Sequence, residues 1–262
     1  MTSATTPASY TESLFGLQGQ LAVVTGASRG IGLAITAALA SAGADIIAVS
    51  QSMPEGDSDA RTLVQALGRK FTPLRADFSV REQVIELAED LAGRDVDILV
   101  NNAGAIRRAP AAEHSDEDFD YVLDVNLRST FILSREVGRS MVRRGHGKIV
   151  NLASLLSFQG GMNVPAYAAG KGAVAQLTKA LCNQWAGRGV NVNAIAPGYM
   201  NTDMNAALLA DPVRLEQLST RIPAGRWGQP QDIGDVVVFL ASRAAAYVHG
   251  QVLAVDGGWM AR

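Results

Sequence analysis

Tyr167 and Lys171 lie four residues apart in the stretch PAYAAGKGAVAQL, which otherwise has the pattern of an apolar helix. Residues at i and i+4 share one face of a helix, so the phenol and the ammonium would point into the same space. A free tyrosine, with a pKa near ~10, is a poor base at neutral pH, but a cation within ~4–6 Å lowers that value. The pair is therefore either a surface contact or a proton-transfer site in which Lys171 lowers the pKa of Tyr167.

A second candidate is the glycine-rich stretch TGASRGIG, Thr25 to Gly32, which follows an apolar run and opens a helical pattern. Gly26 would permit a tight turn, Gly30 a close backbone approach, and Gly32 the packing of helix on strand, with the helix N-terminus facing a pyrophosphate. Glycine also ends strands for purely structural reasons. The strand before the motif and the helix after it favour a dinucleotide-binding site.

These residues must be positioned by the elements around them, and the chain alternates short apolar runs with helical patterns. The runs that we interpret as strands are LAVVTG in the twenties, DIIAVS (45–50), FTPLRAD (71–77), VDILVNNAG (96–104), KIVNLAS (148–154), VNVNAIAP (190–197) and VLAVD (252–256). They are nearly continuously apolar, which indicates burial on both faces of a parallel sheet. We predict an α/β, Rossmann-type, doubly wound parallel sheet of about seven strands, with ligands beyond the carboxyl ends of the strands.

The composition argues against a nucleic-acid-binding protein and against a membrane protein. The chain has 23 Lys and Arg against 25 Asp and Glu, so it offers no basic field for nucleic acid, and no run approaches the roughly 18 apolar residues of a membrane helix. Cys182 is the only cysteine and the start lacks a signal-peptide pattern, so we expect the protein to lie in the cytoplasm.

We expect residues 1–15 to be a mobile arm and residues 16–262 to be one catalytic domain. His114, His146 and His249 lack metal-ligand spacing, so no metal is implied.

The order of these motifs resembles the short-chain dehydrogenase/reductase family over essentially the whole chain after residue 15. The Gly-x-x-x-Gly-x-Gly spacing comes first, and Asn101-Asn102-Ala103-Gly104, Asn126, Ser154, Tyr167 and Lys171 follow in the family's order. The resemblance implies an NAD(P)-dependent oxidoreductase acting on CH–OH groups. Tyr167 would give or take the proton, Lys171 would also hold the nicotinamide ribose, Ser154 would bond the substrate oxygen, and Asn126 would anchor a water of the proton relay.

Each residue also has a structural interpretation. Ser154 could cap the end of a strand, Asn126 could satisfy helix carbonyls, and Asn101 and Asn102 could serve a turn. Their joint occurrence favours the catalytic interpretation.

The cofactor site is expected to include Gly26, Ser28, Arg29, Gly30, Ile31, Gly32, Ser50, Asp77, Phe78, Asn102, Ala103, Gly104, Tyr167, Lys171, Pro197, Gly198 and Thr202. Enzymes that select NAD generally place Asp or Glu at the end of the second strand. Here that position is Ser50, and Arg29 lies where a cation can meet a 2′-phosphate. This charge pattern favours NADP over NAD.

Several stretches, among them NNAGAIRR, NLASLLSFQGG and VDGGWMAR, resemble a subgroup of the family, the 2-dehydro-3-deoxy-D-gluconate 5-dehydrogenases, also named 2-deoxy-D-gluconate 3-dehydrogenases. The subgroup acts on keto-deoxy sugar acids. A sugar acid needs a cationic partner, so we predict that Arg107 or Arg108, helped by Gln159, binds its carboxylate beside Ser154 and Tyr167. A solvated loop is the alternative for the two arginines.

Three departures from the subgroup leave other functions open. Asn163 stands where the subgroup often has arginine, residues 201–204 resemble acyl-carrier-protein ketoreductases, and the chain has an N-terminal extension. Separately, Tyr199 stands where many family members have a small aliphatic residue, which leaves the contacts after the predicted strand 190–197 open. A 3-oxoacyl-(acyl-carrier-protein) reductase is the second candidate, and a non-catalytic nucleotide-sensing scaffold is the third. The family resemblance also implies a homotetramer.

Overall fold

Seven parallel strands form the central sheet of this computed structural model, which describes residues 9–262 except for the side chain of Ala207. The strands are β1 (Leu21–Thr25), β2 (Asp45–Val49), β3 (Phe71–Leu74), β4 (Ile98–Asn101), β5 (Gly147–Leu152), β6 (Val190–Pro197) and β7 (Val252–Val255). Their order across the sheet is β3-β2-β1-β4-β5-β6-β7. Every strand predicted from the apolar runs is confirmed, and so is the doubly wound α/β class.

Helices cover both faces of this sheet. Within the described residues the α-helices are α1 (Tyr10–Phe15), α2 (Gly30–Ser41), α3 (Asp59–Ala66), α4 (Arg81–Ala92), α5 (Asp116–Leu123), α6 (Ser129–Arg144), α7 (Pro165–Trp185), α8 (Ala206–Leu209), α9 (Pro212–Ser219) and α10 (Pro230–Ala241). None of them is long and apolar enough to cross a membrane.

Two apolar cores lie on opposite faces of the sheet because successive side chains of a strand point to opposite sides. Val24 packs with the core that α2 and α10 cover, whereas its neighbour Val23 packs with the core under α4, α6 and α7. Burial on both faces explains why the strands are apolar throughout rather than alternating.

The direction of the chain reverses across the sheet between β1 and β4. From β1 the chain moves outward through β2 to the edge strand β3, then returns to β4 and continues outward to β7. The loops that follow β1 and β4 therefore lead away from each other and leave a crevice at the carboxyl ends of the strands. This crevice is where the predicted site residues converge.

The predicted mobile arm of residues 1–15 stays a prediction, and part of it is helical. Residues 1–8 lie outside the described residues, but Tyr10–Phe15 is helical rather than irregular. The helix begins with a capping box in which the Ser9 hydroxyl accepts from Glu12 N at 3.2 Å and Glu12 Oε2 accepts from Ser9 N at 2.9 Å. The Ser-x-x-Glu pattern of this box is visible in the sequence and was the signal for a helix start.

Candidate active site

The glycine loop between β1 and α2 forms a cradle for an anion. Gly26 has φ +66°, a left-handed conformation that favours glycine, and a Cβ at Gly32 would lie 2.0 Å from the Gly26 carbonyl oxygen. Helix α2 begins after Arg29, and no side chain caps its first N–H groups. Those uncapped groups face the crevice, as a pyrophosphate would require.

Thr25 and Asn102 fasten the glycine loop to the end of β4. The Thr25 hydroxyl accepts hydrogen bonds from Asn102 N at 3.0 Å and Ala103 N at 2.9 Å. In return the Asn102 carboxamide donates to the carbonyls of Thr25 at 2.8 Å and Gly26 at 3.3 Å. Asn102 therefore shapes the two walls of the crevice, and its predicted direct contact with the cofactor stays a prediction.

The far end of the crevice lies beyond β2 and β3. The Ser50 hydroxyl is buried and has no hydrogen-bond partner among the described residues, which suits a ribose or phosphate oxygen. Asp77 accepts from Ser79 and from Gln51 Nε2 at 2.7 Å. The Phe78 side chain packs in the core, so it leaves only its backbone for a cofactor. A dinucleotide fits the combination of the glycine-loop cradle, the uncapped N-terminus of α2 and the unpartnered hydroxyl of Ser50.

Lys171 is the buried charge of the site. It lies on α7 with its side chain nearly inaccessible, and its Nζ donates to the Leu152 carbonyl oxygen at 2.5 Å. Burial lowers the pKa of Lys171 from 10.5 to about 8. Its Nζ lies 5.8 Å from the ring centroid of Tyr167, so the two side chains share one face of α7 as their spacing predicts.

The pKa of Tyr167 moves in the direction opposite to our expectation. Burial raises the pKa of Tyr167, while hydrogen bonding by Ser154 and the charge of Arg108 lower it by less. The ring lies deep among protein atoms although part of its surface stays accessible. The ammonium of Lys171 bonds the Leu152 carbonyl and does not offset this burial. The phenol is therefore protonated at neutral pH and ready to act as an acid.

Ser154 lies two residues after β5 and caps a 3-10 turn, Leu155–Ser157. Its hydroxyl accepts from Leu156 N at 3.2 Å. The turn is tied to α7 because the Ser157 hydroxyl donates to the Lys171 carbonyl oxygen at 2.6 Å. Ser157 is a positioning residue that our sequence analysis missed, and the signal was a second serine three residues after Ser154.

Asn126 lies in a π-helical turn, Asp124–Arg128, between α5 and α6. Its Nδ2 donates to the Ala105 carbonyl at 2.7 Å and to the Val122 carbonyl at 2.8 Å, so it holds the loop that follows β4. A Cβ at Gly104 would lie 2.9 Å from Asn126 Oδ1 and 3.8 Å from Lys171 Nζ. A residue with a Cβ would therefore crowd Asn126, so glycine is required at position 104. Such π-turns frequently occur at functional sites, and the predicted water-anchoring role of Asn126 stays a prediction.

The two predicted substrate arginines have different surroundings. Arg107 is engaged, since its Nε lies 3.1 Å from Asp118 Oδ1 and its guanidinium stacks 4.4 Å from the ring centroid of Tyr121. Arg108 has no ion-pair partner among residues 9–262, and its charge acts on Tyr167. The neighbouring Ala109 N donates to Asn163 O at 3.0 Å and fixes this loop against the start of α7.

The C-terminal residues reach the site through an aromatic cluster. Tyr199 packs against Trp227 and Trp259, with ring centroids 5.3 Å and 4.7 Å apart. The Trp259 indole donates to Gln159 Oε1 at 3.2 Å. Because the indole N–H can only donate, it must face the oxygen of Gln159 and leave the Gln159 NH₂ for another acceptor. Trp259 is a second residue that we did not predict.

The last predicted cofactor residues follow β6. Pro197 ends the strand, and Gly198 lies so close to Asp256 that a Cβ would approach its Cα to 2.6 Å. Thr202 reaches the glycine loop, because its Cγ2 lies 3.8 Å from the position of a Cβ on Gly30. The structure therefore brings Thr202 to the expected place. Ser28 and Ile31 lie in the same loop and first helical turn.

Comparison with known proteins identifies the family. A family model described as Enoyl-(Acyl carrier protein) reductase matches residues 26–260. A 2-dehydro-3-deoxy-D-gluconate 5-dehydrogenase of Pseudoalteromonas atlantica is 56% identical over 250 residues, which is 95% of this chain and 98% of the relative. The chain belongs to the short-chain dehydrogenase/reductase family. The resemblances to this family and to the sugar-acid subgroup are confirmed.

Solved structures of family members superpose closely on this dehydrogenase. A candidate NAD(P)-dependent gluconate 5-dehydrogenase of Beutenbergia cavernae, with bound NADP at low occupancy, has a TM-score of 0.91 and 51% identity, covering 95% of this chain and 99% of that one. A gluconate 5-dehydrogenase of Burkholderia cenocepacia in complex with NADP and tartrate has a TM-score of 0.89 and 39% identity, covering 97% and 100%.

Tyr167→Phe should remove most turnover of this short-chain dehydrogenase while leaving cofactor binding largely intact, because only the proton-transfer group is lost. General acid catalysis is typically worth about 10² to 10⁴ in rate. The measurement is kcat with a keto-acid substrate, together with a cofactor titration. Tyr247→Phe, a change at a fully exposed tyrosine, is the control. Near-normal kcat in Tyr167→Phe would refute the assignment.

Lys171→Met should stabilise the fold at pH 7 while it lowers activity. A pKa lowered from 10.5 to about 8 means that burial of the charged ammonium opposes folding by about 3 kcal/mol below pH 8. The lost bond to Leu152 offsets about 1 kcal/mol of the gain. Between pH 8 and 10.5 Lys171 is protonated in the unfolded chain but not in the folded one. The free energy of unfolding of the wild type therefore rises with pH, and the stability advantage of Lys171→Met disappears.

The measurement is the Tm of both proteins across this pH range. Lys179→Met, on an exposed face of the same helix, is the matched control and should leave the pH dependence unchanged. A Lys171→Met protein with a lower Tm than the wild type at pH 7 contradicts the argument.

Proposed function

We propose that the protein is an NADP(H)-dependent oxidoreductase that interconverts a keto and a hydroxyl group of a small sugar acid of the 2-dehydro-3-deoxy-D-gluconate or 2-deoxy-D-gluconate type. The observation that carries the proposal is Arg108. Its charge acts on the Tyr167 phenol, and no acidic side chain among the described residues neutralises it. A cation beside a proton donor suits a substrate with a carboxylate near its reacting carbonyl.

The residues of the site divide the reaction among them. When bound, the nicotinamide supplies or accepts the hydride. Tyr167 donates its proton to the carbonyl oxygen during reduction, which its raised pKa favours, and takes the proton back during oxidation. Ser154 holds the same oxygen and the phenol by hydrogen bonds. Lys171, fixed on Leu152, would hold the nicotinamide ribose with its remaining N–H groups.

Two properties of the relatives support a sugar acid. The 56% identical relative bears the name of a sugar-acid dehydrogenase, and the structure from B. cenocepacia holds tartrate, a hydroxy acid. In this chain the Gln159 NH₂ is not used in the bond to Trp259 and is a second donor, shortly after the turn that Ser154 caps. Arg108 and Gln159 together would bind the carboxylate, whereas Arg107 would hold the loop.

Arg108→Ala should lower kcat/KM for a 2-keto-3-deoxy sugar acid about 10- to 150-fold, since a hydrogen bond to a charged group is worth about 1.5–3 kcal/mol. The matching uncharged sugar should lose much less. Arg107→Ala removes the same charge one residue away, from an arginine already paired with Asp118, and is the matched control.

If Arg108→Ala impairs the acid and the uncharged sugar equally, carboxylate binding by Arg108 is wrong. If the wild type reduces a 3-oxoacyl thioester faster than any sugar acid, the acyl-carrier-protein reductase takes the place of the proposed function. Failure to oxidise or reduce the cofactor with either class of substrate would favour the non-catalytic scaffold.

NADP(H) should be preferred to NAD(H). The end of β2 carries Ser50 rather than a carboxylate, Arg29 stands exposed at the start of α2, and both structures cited above contain NADP. The measurement is kcat/KM with each cofactor in the wild type and in Arg29→Ala. A tenfold preference for NAD(H) that survives Arg29→Ala would refute the cofactor assignment.

We also propose a cytoplasmic homotetramer. The edge strand β7 presents unpaired backbone groups and the half-exposed Leu253, and Phe131 is partly exposed on α6. Open strand edges and apolar surface of this kind are commonly covered by other copies of a chain. Light scattering should give four times the chain mass of 27.5 kDa, and a monomer would refute the assembly.

A further inference from the structure

Arg75 stands beside the position where the cofactor's 2′-phosphate is expected. Strands β2 and β3 pair in parallel with Val49 opposite Leu74, and the ladder continues for one more bond, from Ser50 N to Leu74 O at 3.3 Å. The residue after Leu74 is therefore lateral to Ser50 and Gln51. In the sequence Arg75 stands only as part of the predicted strand FTPLRAD (71–77).

The guanidinium of Arg75 crosses the turn that follows β2. Its Nε donates to the Gln51 carbonyl oxygen at 3.4 Å, and the side chain is exposed. No acidic side chain pairs with it in the part of the chain that the structure describes. Its remaining N–H groups are accordingly available for an anion.

Asp77, two residues further on, does not neutralise Arg75. Its Oδ1 accepts from Ser79 N at 2.9 Å and from the Ser79 hydroxyl at 2.6 Å, and its Oδ2 accepts from Gln51 Nε2 at 2.7 Å. Gln51 therefore donates to the Asp77 carboxylate with its side chain and accepts from the Arg75 guanidinium with its backbone carbonyl. The Asp77 carboxylate is therefore hydrogen-bonded without Arg75, whose guanidinium stays exposed just after the carboxyl end of β3.

We propose that Arg75 is a specificity-determining residue that binds the 2′-phosphate of NADP(H), opposite Arg29. Arg29 approaches from the glycine loop after β1, and Arg75 approaches from the edge strand β3. The buried, unpartnered hydroxyl of Ser50 lies at the end of β2 between these two strand ends. Two guanidinium groups suit a phosphate dianion, because each can donate two parallel hydrogen bonds. The inference rests on the proposed use of NADP(H).

Direct binding tests this role without turnover. NADPH and NADH are each titrated, by the change in their fluorescence, into the wild type, Arg75→Ala, Arg75→Lys and Arg69→Ala. Arg69 lies just before the amino end of the same strand, away from the crevice, and is the matched control. Arg75→Ala should raise the Kd of NADPH about 10- to 100-fold and leave the Kd of NADH within about twofold. Arg75→Lys should retain part of the affinity, and Arg69→Ala should change neither constant.

An unchanged NADPH-to-NADH ratio of Kd values in Arg75→Ala would overturn the role of Arg75 and leave Arg29 as the phosphate-binding cation. A wild type that binds NADH more tightly than NADPH would overturn the proposed cofactor itself, which is a distinguishable result. Unchanged NADH affinity shows that the variant site is folded. If Arg75→Ala does not fold, Arg75→Gln keeps a hydrogen-bonding side chain without the charge, and the same ratio decides the question.

Discussion

A buried ammonium group without a carboxylate partner is the constraint around which the site is built. Lys171 is inaccessible, its bonded acceptor is the Leu152 carbonyl oxygen, and burial lowers its pKa to about 8. Burying an unpaired charge costs free energy unless fixed dipoles replace the lost water. The carbonyl at the end of β5 is one such dipole. Gly104 keeps a side chain out of the region next to the ammonium, since a Cβ there would lie 3.8 Å from Lys171 Nζ and 2.9 Å from Asn126 Oδ1.

The elements that surround Lys171 come from separate parts of the chain and are locked to one another by hydrogen bonds. Ser157 fastens the turn after β5 to the backbone of Lys171, and Asn126 fastens the loop after β4 to the π-turn. Thr25 and Asn102 then join the loop after β4 to the glycine loop after β1. A dinucleotide held by the glycine loop would supply the hydride in the same crevice into which Tyr167 on α7 presents its proton. Such positioning lowers the barrier because little reorganisation remains for the reaction itself.

The sequence was sufficient for the fold and for the spacing that brings Tyr167 and Lys171 together, because both depend on local signals. Each strand is a short apolar run, and the Tyr167–Lys171 spacing is a property of one helix. Contacts across long separations were not predictable in this way. Trp259 bonds Gln159, 100 residues away, and the preference of Arg107 for Asp118 depends on the path of a loop. The pKa of Tyr167 was predicted in the wrong direction because its depth of burial is a tertiary property. The helix Tyr10–Phe15 is different, since its capping box was in the sequence and was overlooked.

The arginines on the ligand edge explain how a protein with a net charge of −2 can select an anionic cofactor and an anionic substrate. Arg29, Arg75 and Arg108 follow the carboxyl ends of β1, β3 and β4, and the described acidic side chains form no ion pair with them. Two of these cations lie at the adenosine end of the crevice, and the third lies beside Tyr167. Local cations act over a few ångströms, whereas salt screens the net charge of the molecule beyond about 8–10 Å. Under the proposed roles of these arginines, the strand ends that carry unpaired guanidinium groups would set which ligands bind and the direction in which each ligand lies.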